Sequence, residues 1–192
     1  MDIRGYSLHE HSFRFAGWCA ATAAGRSPNC RFTIETGMKI LSTSGVKEKF
    51  QTWDDLPDTE NEFDELHKYL TNQIIHAAHS SGIKLKGKKQ RFTYGIGAKL
   101  LNCYLKPIYL ASHQNTLPQS LSKKAALIHP PVDRILLKNC QKFERQHFKD
   151  LENISWSTFT KTQYFFTINL IRKFLNNRPL WHIEYYWDGF RL

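Results

Sequence analysis

Apolar residues recur at helical spacing along the most regular stretch of this sequence, residues 58–82. Successive apolar residues lie three or four positions apart: Phe63, Leu66, Leu70, Ile74 and Ala77. This spacing places their side chains on one face of an α-helix. Asp58 and the acidic residues after it suit the positive end of that helix, and Gly82 suits its termination. A chain with this pattern must bury helix faces against one another.

Later segments have the same character. "HPPVDRILLKNCQKF" (129–143) begins with prolines and Asp133, which suit the first turn of a helix. "WSTFTKTQYFFTINLIRKFLNN" (156–177) predicts an amphipathic helix, with these core residues: Phe159, Tyr164, Ile168, Ile171 and Leu175. "FAGWCAATAAG" near the N-terminus predicts a helix that packs closely through its alanines and ends at Gly25. The predicted fold class is therefore mainly α.

We expect a single domain over residues 1–192, with a central lobe at about 58–150. The N-terminal segment (1–57) and the C-terminal segment (151–192) are expected to pack together. No run of about twenty apolar residues occurs, so a membrane-spanning helix is not predicted. We expect a monomeric cytoplasmic protein, associated with the nucleoid if the source is bacterial.

The four cysteines are scattered at positions 19, 30, 103 and 140, with no C-x-x-C pair. Neither a zinc site nor an iron–sulfur cluster is indicated, and no cofactor is predicted. Four reduced thiols suit a cytoplasmic protein, although the same count would permit two disulfides. The paired histidines His9/His11 and His76/His79 have no neighbouring acidic or cysteine ligands that would complete a metal site.

Positive charge dominates the chain, with 27 Lys and Arg against 17 Asp and Glu and a net charge of +10. Such a field attracts polyanions, most often nucleic acid, with anionic membrane as the alternative. A basic protein without a nucleic-acid partner would have the same composition. Basic residues are densest between positions 84 and 91, and we expect five of them to contact DNA phosphates: Lys84, Lys86, Lys88, Lys89 and Arg91.

This run leads into "RFTYGIGAKLLNCYLK" (91–106), where Gly95 and Gly97 precede a predicted helix and Lys99 lies just inside it. One interpretation is a tight turn before an ordinary amphipathic helix. The other is a loop whose backbone N–H groups approach a phosphate, since glycine lets the backbone come close. A G-x-G pair alone matches neither a dinucleotide fingerprint nor a P-loop.

Two segments together resemble a known family. "YGIGAKLLNCYL" is similar to the glycine hairpin and following helix of the helix-hairpin-helix (HhH-GPD) DNA glycosylases, and "PPVDRILL" is similar to their aspartate-bearing segment. The longer separation of the two segments is closest to divergent 8-oxoguanine glycosylases. Tyr94 replaces the usual proline, Arg-Ile follows the aspartate, and the cysteine cluster of the endonuclease III branch is absent.

The resemblance implies two helical lobes around a cleft, Lys99 as the catalytic lysine, Asp133 as the essential aspartate, and Gly95 and Gly97 in the hairpin. It implies excision of a damaged or modified base from double-stranded DNA, with AP lyase activity in bifunctional members. The small size and unusual motifs also suit a role in phage defence.

The chemistry can be argued from the residues alone. An amine that attacks C1′ of a nucleotide must be neutral, and a carboxylate must accept its proton or balance charge on the sugar. Asp133 is the sole acid between Glu65 and Glu144. Lys106, seven residues after Lys99 and on much the same helix face, is the reserve nucleophile. A helix-capping role for Asp133 and a phosphate contact for Lys99 are the simpler alternatives.

An extruded base needs a stacking surface, and Trp18 and His129 are the predicted pocket residues. Both residue types are more often structural, as are Trp156, Trp181 and Trp187. The leading hypothesis is thus a DNA glycosylase. The alternatives are a non-catalytic DNA-binding helix-hairpin-helix module, or an RNA-binding or nuclease-like protein.

Overall fold

The computed structural model describes residues 6–27, 29–80, 86, 91–111 and 117–189, and these residues are mainly α-helical. Backbone pairing of β type within them is limited to isolated bridges that join Arg31 to Arg26 and to Lys86. The α-helices follow in the order α1 (Leu8–Ala24), α2 (Ile34–Thr43), α3 (Val46–Lys49), α4 (Glu60–Ser80), α5 (Tyr94–Leu105), α6 (Gln119–Leu127), α7 (Arg134–Phe143), α8 (Arg145–Phe148) and α9 (Lys161–Leu175). The predicted mainly α fold class is confirmed.

Shorter helical turns connect these helices. The 3₁₀ segments are Trp53–Asp55, Lys149–Leu151, Trp156–Thr158 and Leu180–Tyr186, and a π-helical turn, Lys106–Leu110, continues α5. The last of the 3₁₀ segments lies in the aromatic C-terminal stretch. No described helix has the length and apolar character needed to cross a membrane.

Helix α5 lies at the centre of the fold, because every residue from Tyr94 to Leu105 is buried. Helices α1, α4 and α9 pack around it. The first of these approaches through small buried residues: Ala16, Gly17, Ala20, Ala21 and Ala24. A helix surrounded in this way is ordinarily apolar on all sides. Buried Lys99 and Asn102 are therefore conspicuous exceptions on α5.

The helices predicted from periodicity are present. On α4, four of the five predicted apolar residues are buried, and Leu66 packs partly exposed against the core. All five predicted core residues of the α9 region are buried. Thr160 caps α9 by accepting from Gln163 N, and the Gln163 side chain accepts from Thr160 N in return. This reciprocal cap satisfies backbone donors that a helix start leaves free.

The prediction of a glycine turn before α5 is wrong. The helix begins at Tyr94, and Thr93 caps it through a hydrogen bond from Ile96 N to Thr93 Oγ1. Gly95 and Gly97 thus lie inside the first turn, where their N–H groups donate to Phe159 O and Thr93 O. Both groups are buried and engaged, so they do not face an anion.

Close chain crossing explains the glycine at position 95. A Cβ atom there would lie 1.9 Å from the backbone oxygen of Trp156, far inside van der Waals contact. At Gly97 the nearest atoms to such a Cβ are side-chain carbons of α4, at 3.3 Å or more. The first glycine therefore lets the segment at 156–159 cross α5, which brings Trp156 to the side chain of Lys99.

The N-terminal segment packs mainly through α1 on α5. It also contacts the C-terminal segment through a hydrogen bond from Asn29 Nδ2 to Ser157 Oγ at 2.8 Å. The division into a central lobe and packed terminal segments stays a prediction.

Candidate active site

The two candidate catalytic residues are in direct contact. Lys99 Nζ donates to Asp133 Oδ2 over 3.2 Å, although 34 residues separate them in sequence. Their side chains are 9% and 14% exposed, respectively. The lysine comes from the second turn of α5, and the aspartate immediately precedes α7. Packing between the core helix and the start of α7 therefore creates the pair.

Asp133 is held by donors on both carboxylate oxygens. Oδ1 accepts from Ile135 N at 2.9 Å and from Leu136 N at 3.0 Å, so Asp133 is the N-cap of α7. Oδ2 accepts from Lys99 Nζ and also from Trp187 Nε1 at 3.1 Å. The capping role and the contact with the lysine thus use different oxygens, and these donors together stabilise the carboxylate as a fixed negative charge.

Lys99 has an aromatic partner as well as an acidic one. Its Nζ lies 4.6 Å from the ring centroid of Trp156, a distance at which the ring face attracts a cation. Trp156 itself is only 8% exposed. The carboxylate and the indole together set the direction of the ammonium group.

The pair opens on a cavity of about 600 Å³. Three stretches form its wall: the end of α1 with the residues after it, one side of α7, and residues 151–157. Its cationic members besides Lys99 are Arg26, Arg134 and Lys138, and Asp133 is the one carboxylate among the described residues that line it. The hydroxyls of Ser155 and Ser157 lie 3.1 Å apart on the same wall. Such a cavity can bind an anionic ligand and present an amine to it.

A buried polar network fixes α5 against the segment before α7. Asn102 Nδ2 donates to Pro130 O at 3.0 Å and to the Tyr164 hydroxyl at 2.9 Å. Asn102 Oδ1 contacts His67 Nε2 on α4 at 2.9 Å. Because Asn102 is one turn from Lys99 and Pro130 is three residues from Asp133, the network holds the two catalytic candidates in register.

His129 belongs to this network and does not line the cavity. It is fully buried, with Nδ1 3.1 Å from the Tyr164 hydroxyl and Nε2 3.0 Å from Asp64 Oδ1. Arg172 also donates to both oxygens of Asp64. Burial raises the pKa of Asp64, but hydrogen bonds from Arg172 and His129 outweigh it and hold that pKa well below its ordinary value. Burial lowers the pKa of His129 and, more strongly, that of His67.

Trp18, the other predicted pocket residue, also lies elsewhere. It is 49% exposed and stacks on Phe15, with ring centroids 6.3 Å apart. Trp156 takes the position expected for an aromatic residue at the cavity. Neither Trp18 nor His129 therefore lines the cavity at Lys99 and Asp133. Trp18 lies on an exposed part of α1, and the buried polar network holds His129, and neither placement can be read from local sequence.

Lys106 lies at a different cavity. It forms an ion pair with Glu184, and both line a space of about 440 Å³ that also includes Trp181. The π-helical turn begins at Lys106. The reserve nucleophile therefore does not share the environment of Lys99.

The predicted DNA-contacting residues fall into three groups. Lys84, Lys88 and Lys89 lie outside the described residues. Lys86 and Arg91 are exposed, and Lys86 pairs through its backbone with Arg31. Gly95 and Gly97 are buried in α5.

Sequence reasoning missed Trp187, Arg26 and the hydroxyl pair Ser155/Ser157. Trp187 is 54 residues from Asp133, and no local pattern connects the two. Arg26 directly follows Gly25, the predicted end of α1. This position at a helix end is the sequence signal that could have indicated Arg26 as a site residue.

A comparison of this chain with protein-family models, with curated protein sequences and with solved structures gives no match.

Proposed function

We propose that the protein is a DNA glycosylase with helix-hairpin-helix-like lobes around a cleft, and that it removes a damaged or modified base. The observation that carries the proposal is the buried contact of Lys99 with Asp133, over 3.2 Å, at a cavity with a cationic rim. Base excision through an amine needs these two groups together, beside a space for a base taken out of the duplex.

Lys99 is the nucleophile in this proposal. The Lys99 ammonium group first passes one proton through Asp133 Oδ2 to water. The nitrogen lone pair then forms a bond to C1′ of the target nucleotide while the bond from C1′ to the base breaks, and the base leaves with that electron pair and takes a proton from water. The C1′–O4′ bond of the sugar then breaks and its oxygen takes up the proton that the nitrogen releases, which leaves a protonated imine on Lys99 from which a lyase step would start.

Asp133 balances the positive charge that develops on the sugar as the base departs. Its Oδ2 is also the acceptor that the Lys99 ammonium already contacts. Four hydrogen-bond donors hold the carboxylate in place, from Ile135 N, Leu136 N, Lys99 Nζ and Trp187 Nε1. Trp156 supports the geometry by packing its ring against the same nitrogen.

Borohydride trapping tests the nucleophile. Oligonucleotide duplexes that carry a panel of damaged and modified bases are incubated with the protein and borohydride, which reduces an imine to a permanent covalent link. We expect trapping with the wild-type protein, none with Lys99→Gln, and unchanged trapping with Lys106→Gln as the matched control. Trapping that survives in Lys99→Gln and disappears in Lys106→Gln would assign the chemistry to the other lysine.

A non-catalytic DNA-binding module is the second candidate function, because a buried lysine–aspartate pair with an N-cap can also serve packing alone. Abasic-site detection on the same panel separates the two. Duplex binding with neither base release nor trapping on any substrate would favour the binding module.

A further inference from the structure

Three cationic residues are brought side by side by backbone pairing near the candidate active site. Arg31 N donates to Lys86 O at 2.5 Å, and Lys86 N donates to Arg31 O at 2.9 Å. On its other side Arg31 is bridged to Arg26, next to a hydrogen bond from Phe32 N to Gly25 O at 3.3 Å. We call Arg26, Arg31 and Lys86 the cationic ladder.

The pairing places the three side chains on one face. Residues directly opposite each other in antiparallel pairs point to the same side, and all three line one cavity of about 470 Å³. The Cα atoms of such pairs are about 4.5 Å apart in a pair without mutual hydrogen bonds and about 5.5 Å apart in a hydrogen-bonded pair. The ladder therefore extends over about 10 Å at its base.

The ladder has no described acidic partner. All three residues are exposed, and no described carboxylate forms an ion pair with any of them. Elsewhere in the chain, Lys47 pairs with Glu10, Lys68 with Glu65 and Lys124 with Asp58. Like charges held opposite each other destabilise paired backbone segments. A bound anion would relieve this repulsion.

The ladder is continuous with the candidate active site. Arg26 lines both the ladder cavity and the cavity at Lys99 and Asp133. Ser27, the next residue, also lines the latter. A ligand that lies on the ladder therefore contacts a residue of the catalytic cavity's wall.

We infer that the cationic ladder binds successive phosphates of the DNA strand that carries the target base, on one side of that base. This inference rests on the proposed function. One strand carries a charge about every 3.4 Å along the duplex axis. A ladder of about 10 Å thus matches several consecutive phosphates of a strand better than one isolated phosphate.

The salt dependence of binding tests the inference. The triple variant Arg26→Gln, Arg31→Gln, Lys86→Gln keeps every backbone N–H and C=O of the bridges. Its matched control is Lys123→Gln, Lys161→Gln, Lys173→Gln, which removes the same charge from exposed residues that line neither cavity. Affinity for a short duplex with an abasic-site analogue is measured by fluorescence anisotropy over a range of salt concentrations, after circular dichroism has established that both variants are folded.

We expect the slope of log K against log salt concentration to become shallower by about 2 to 3 in the ladder variant, because each lost phosphate contact contributes about 0.9. The control should change the slope by less than about 1. Uncharged methylphosphonates beside the abasic-site analogue, on the strand that carries it, should weaken wild-type binding and leave the ladder variant nearly unaffected.

Equal slopes in the ladder variant and its control would overturn the inference, as would methylphosphonates that weaken both proteins alike. Equal ladder-dependent binding of an RNA duplex would overturn the assignment to DNA. The proposed function can fail separately. If no substrate is trapped or cleaved, but the ladder variant shows the shallower slope and its control does not, the strand contact stands without the chemistry.

Discussion

Lys99 with Asp133 and Lys106 with Glu184 are two lysine–carboxylate pairs on one continuous helical segment, and their surroundings differ. The side chain of Lys99 is 9% exposed, whereas that of Lys106 is 36% exposed. The first pair lies between α5, the start of α7 and Trp156, and the second lies at a separate cavity beside a π-helical turn. A lysine seven residues further along the same helix thus meets a much wetter environment.

The two carboxylates also differ, in how many hydrogen bonds their oxygens accept. Both oxygens of Asp133 accept hydrogen bonds, from two backbone N–H groups, Lys99 and Trp187. Glu184 accepts from Lys106 through Oε2, while its Oε1 is buried without a hydrogen-bond partner among the described residues. Burial raises the pKa of Glu184 despite the nearby ammonium group. Of these two pairs, the one at Lys99 has a carboxylate with both oxygens hydrogen-bonded to described residues, and the one at Lys106 does not.

The largest effect should be on base release. Asp133→Asn keeps an oxygen that can cap α7 but removes the negative charge at C1′, so we expect the single-turnover rate to fall by about 10² to 10⁴. Glu184→Gln should change the rate by less than about threefold, since its contact is with the other lysine. Comparable losses in both variants would erase the functional difference between the pairs.

The second largest effect should be on the free energy of unfolding, which should fall more when the carboxylate of the Lys99 pair is removed. Asp133→Ala removes the cap of α7 and leaves the Lys99 ammonium buried without a counter-charge, which should lower the free energy of unfolding by about 3 to 5 kcal/mol. Glu184→Ala should cost about 1 kcal/mol or less, because Lys106 can be hydrated. Urea denaturation measures both. A larger loss for Glu184→Ala would mean that the more open pair is the structural one.

A smaller effect should follow from the indole donor. Trp187→Phe keeps an aromatic ring but removes the hydrogen bond to Asp133 Oδ2, so we expect a loss of about 1.5 kcal/mol in unfolding free energy. The control is Trp181→Phe at the Lys106 cavity, where the side chain is 42% exposed and little change is expected. Identical unfolding midpoints for wild type and Trp187→Phe would mean that this donor adds nothing to the fixed charge.

The smallest effect should be the pH dependence from Glu184. Its folded-state pKa is raised above the ordinary value of 4.5, so the unfolded chain releases this proton first as the pH rises. The wild-type protein should therefore lose stability relative to Glu184→Gln as the pH increases from about 4.5 through the raised pKa, and keep a constant difference above it. Unfolding free energies of the two proteins at several pH values measure this. A difference that grows in the opposite direction would indicate that the ion pair with Lys106 outweighs burial.

Much of the helical framework could be predicted because its signals are local. The spacing of Phe63, Leu70 and Ile74 encodes the buried face of α4, and Thr160 with Gln163 encodes the start of α9. Lys99 and Asp133 could be singled out from two short motifs. Asp133 directly precedes α7, as its motif predicts, whereas the glycines before Lys99 lie inside α5 and not in a turn.

Local sequence could not show whether Gly95 and Gly97 form a turn or lie inside a helix. In sequence, two glycines before an apolar segment are compatible both with a turn and with a helix that another chain segment crosses. The backbone oxygen of Trp156, 1.9 Å from the site of a Cβ at Gly95, accounts for that glycine. That oxygen comes from a segment some sixty residues away, so no local pattern contains it.

The sequence by itself determined the helical periodicity, the net charge of +10 and the identities of one lysine and one aspartate with candidate chemistry. The tertiary structure alone decided that these two residues touch, that Trp156 and Trp187 hold them, that Trp18 and His129 do not, and that Arg26, Arg31 and Lys86 form a ladder. The physical reason is range: helix formation depends on residues within about one turn, whereas each of these contacts depends on how segments far apart in the chain pack around the buried helix α5.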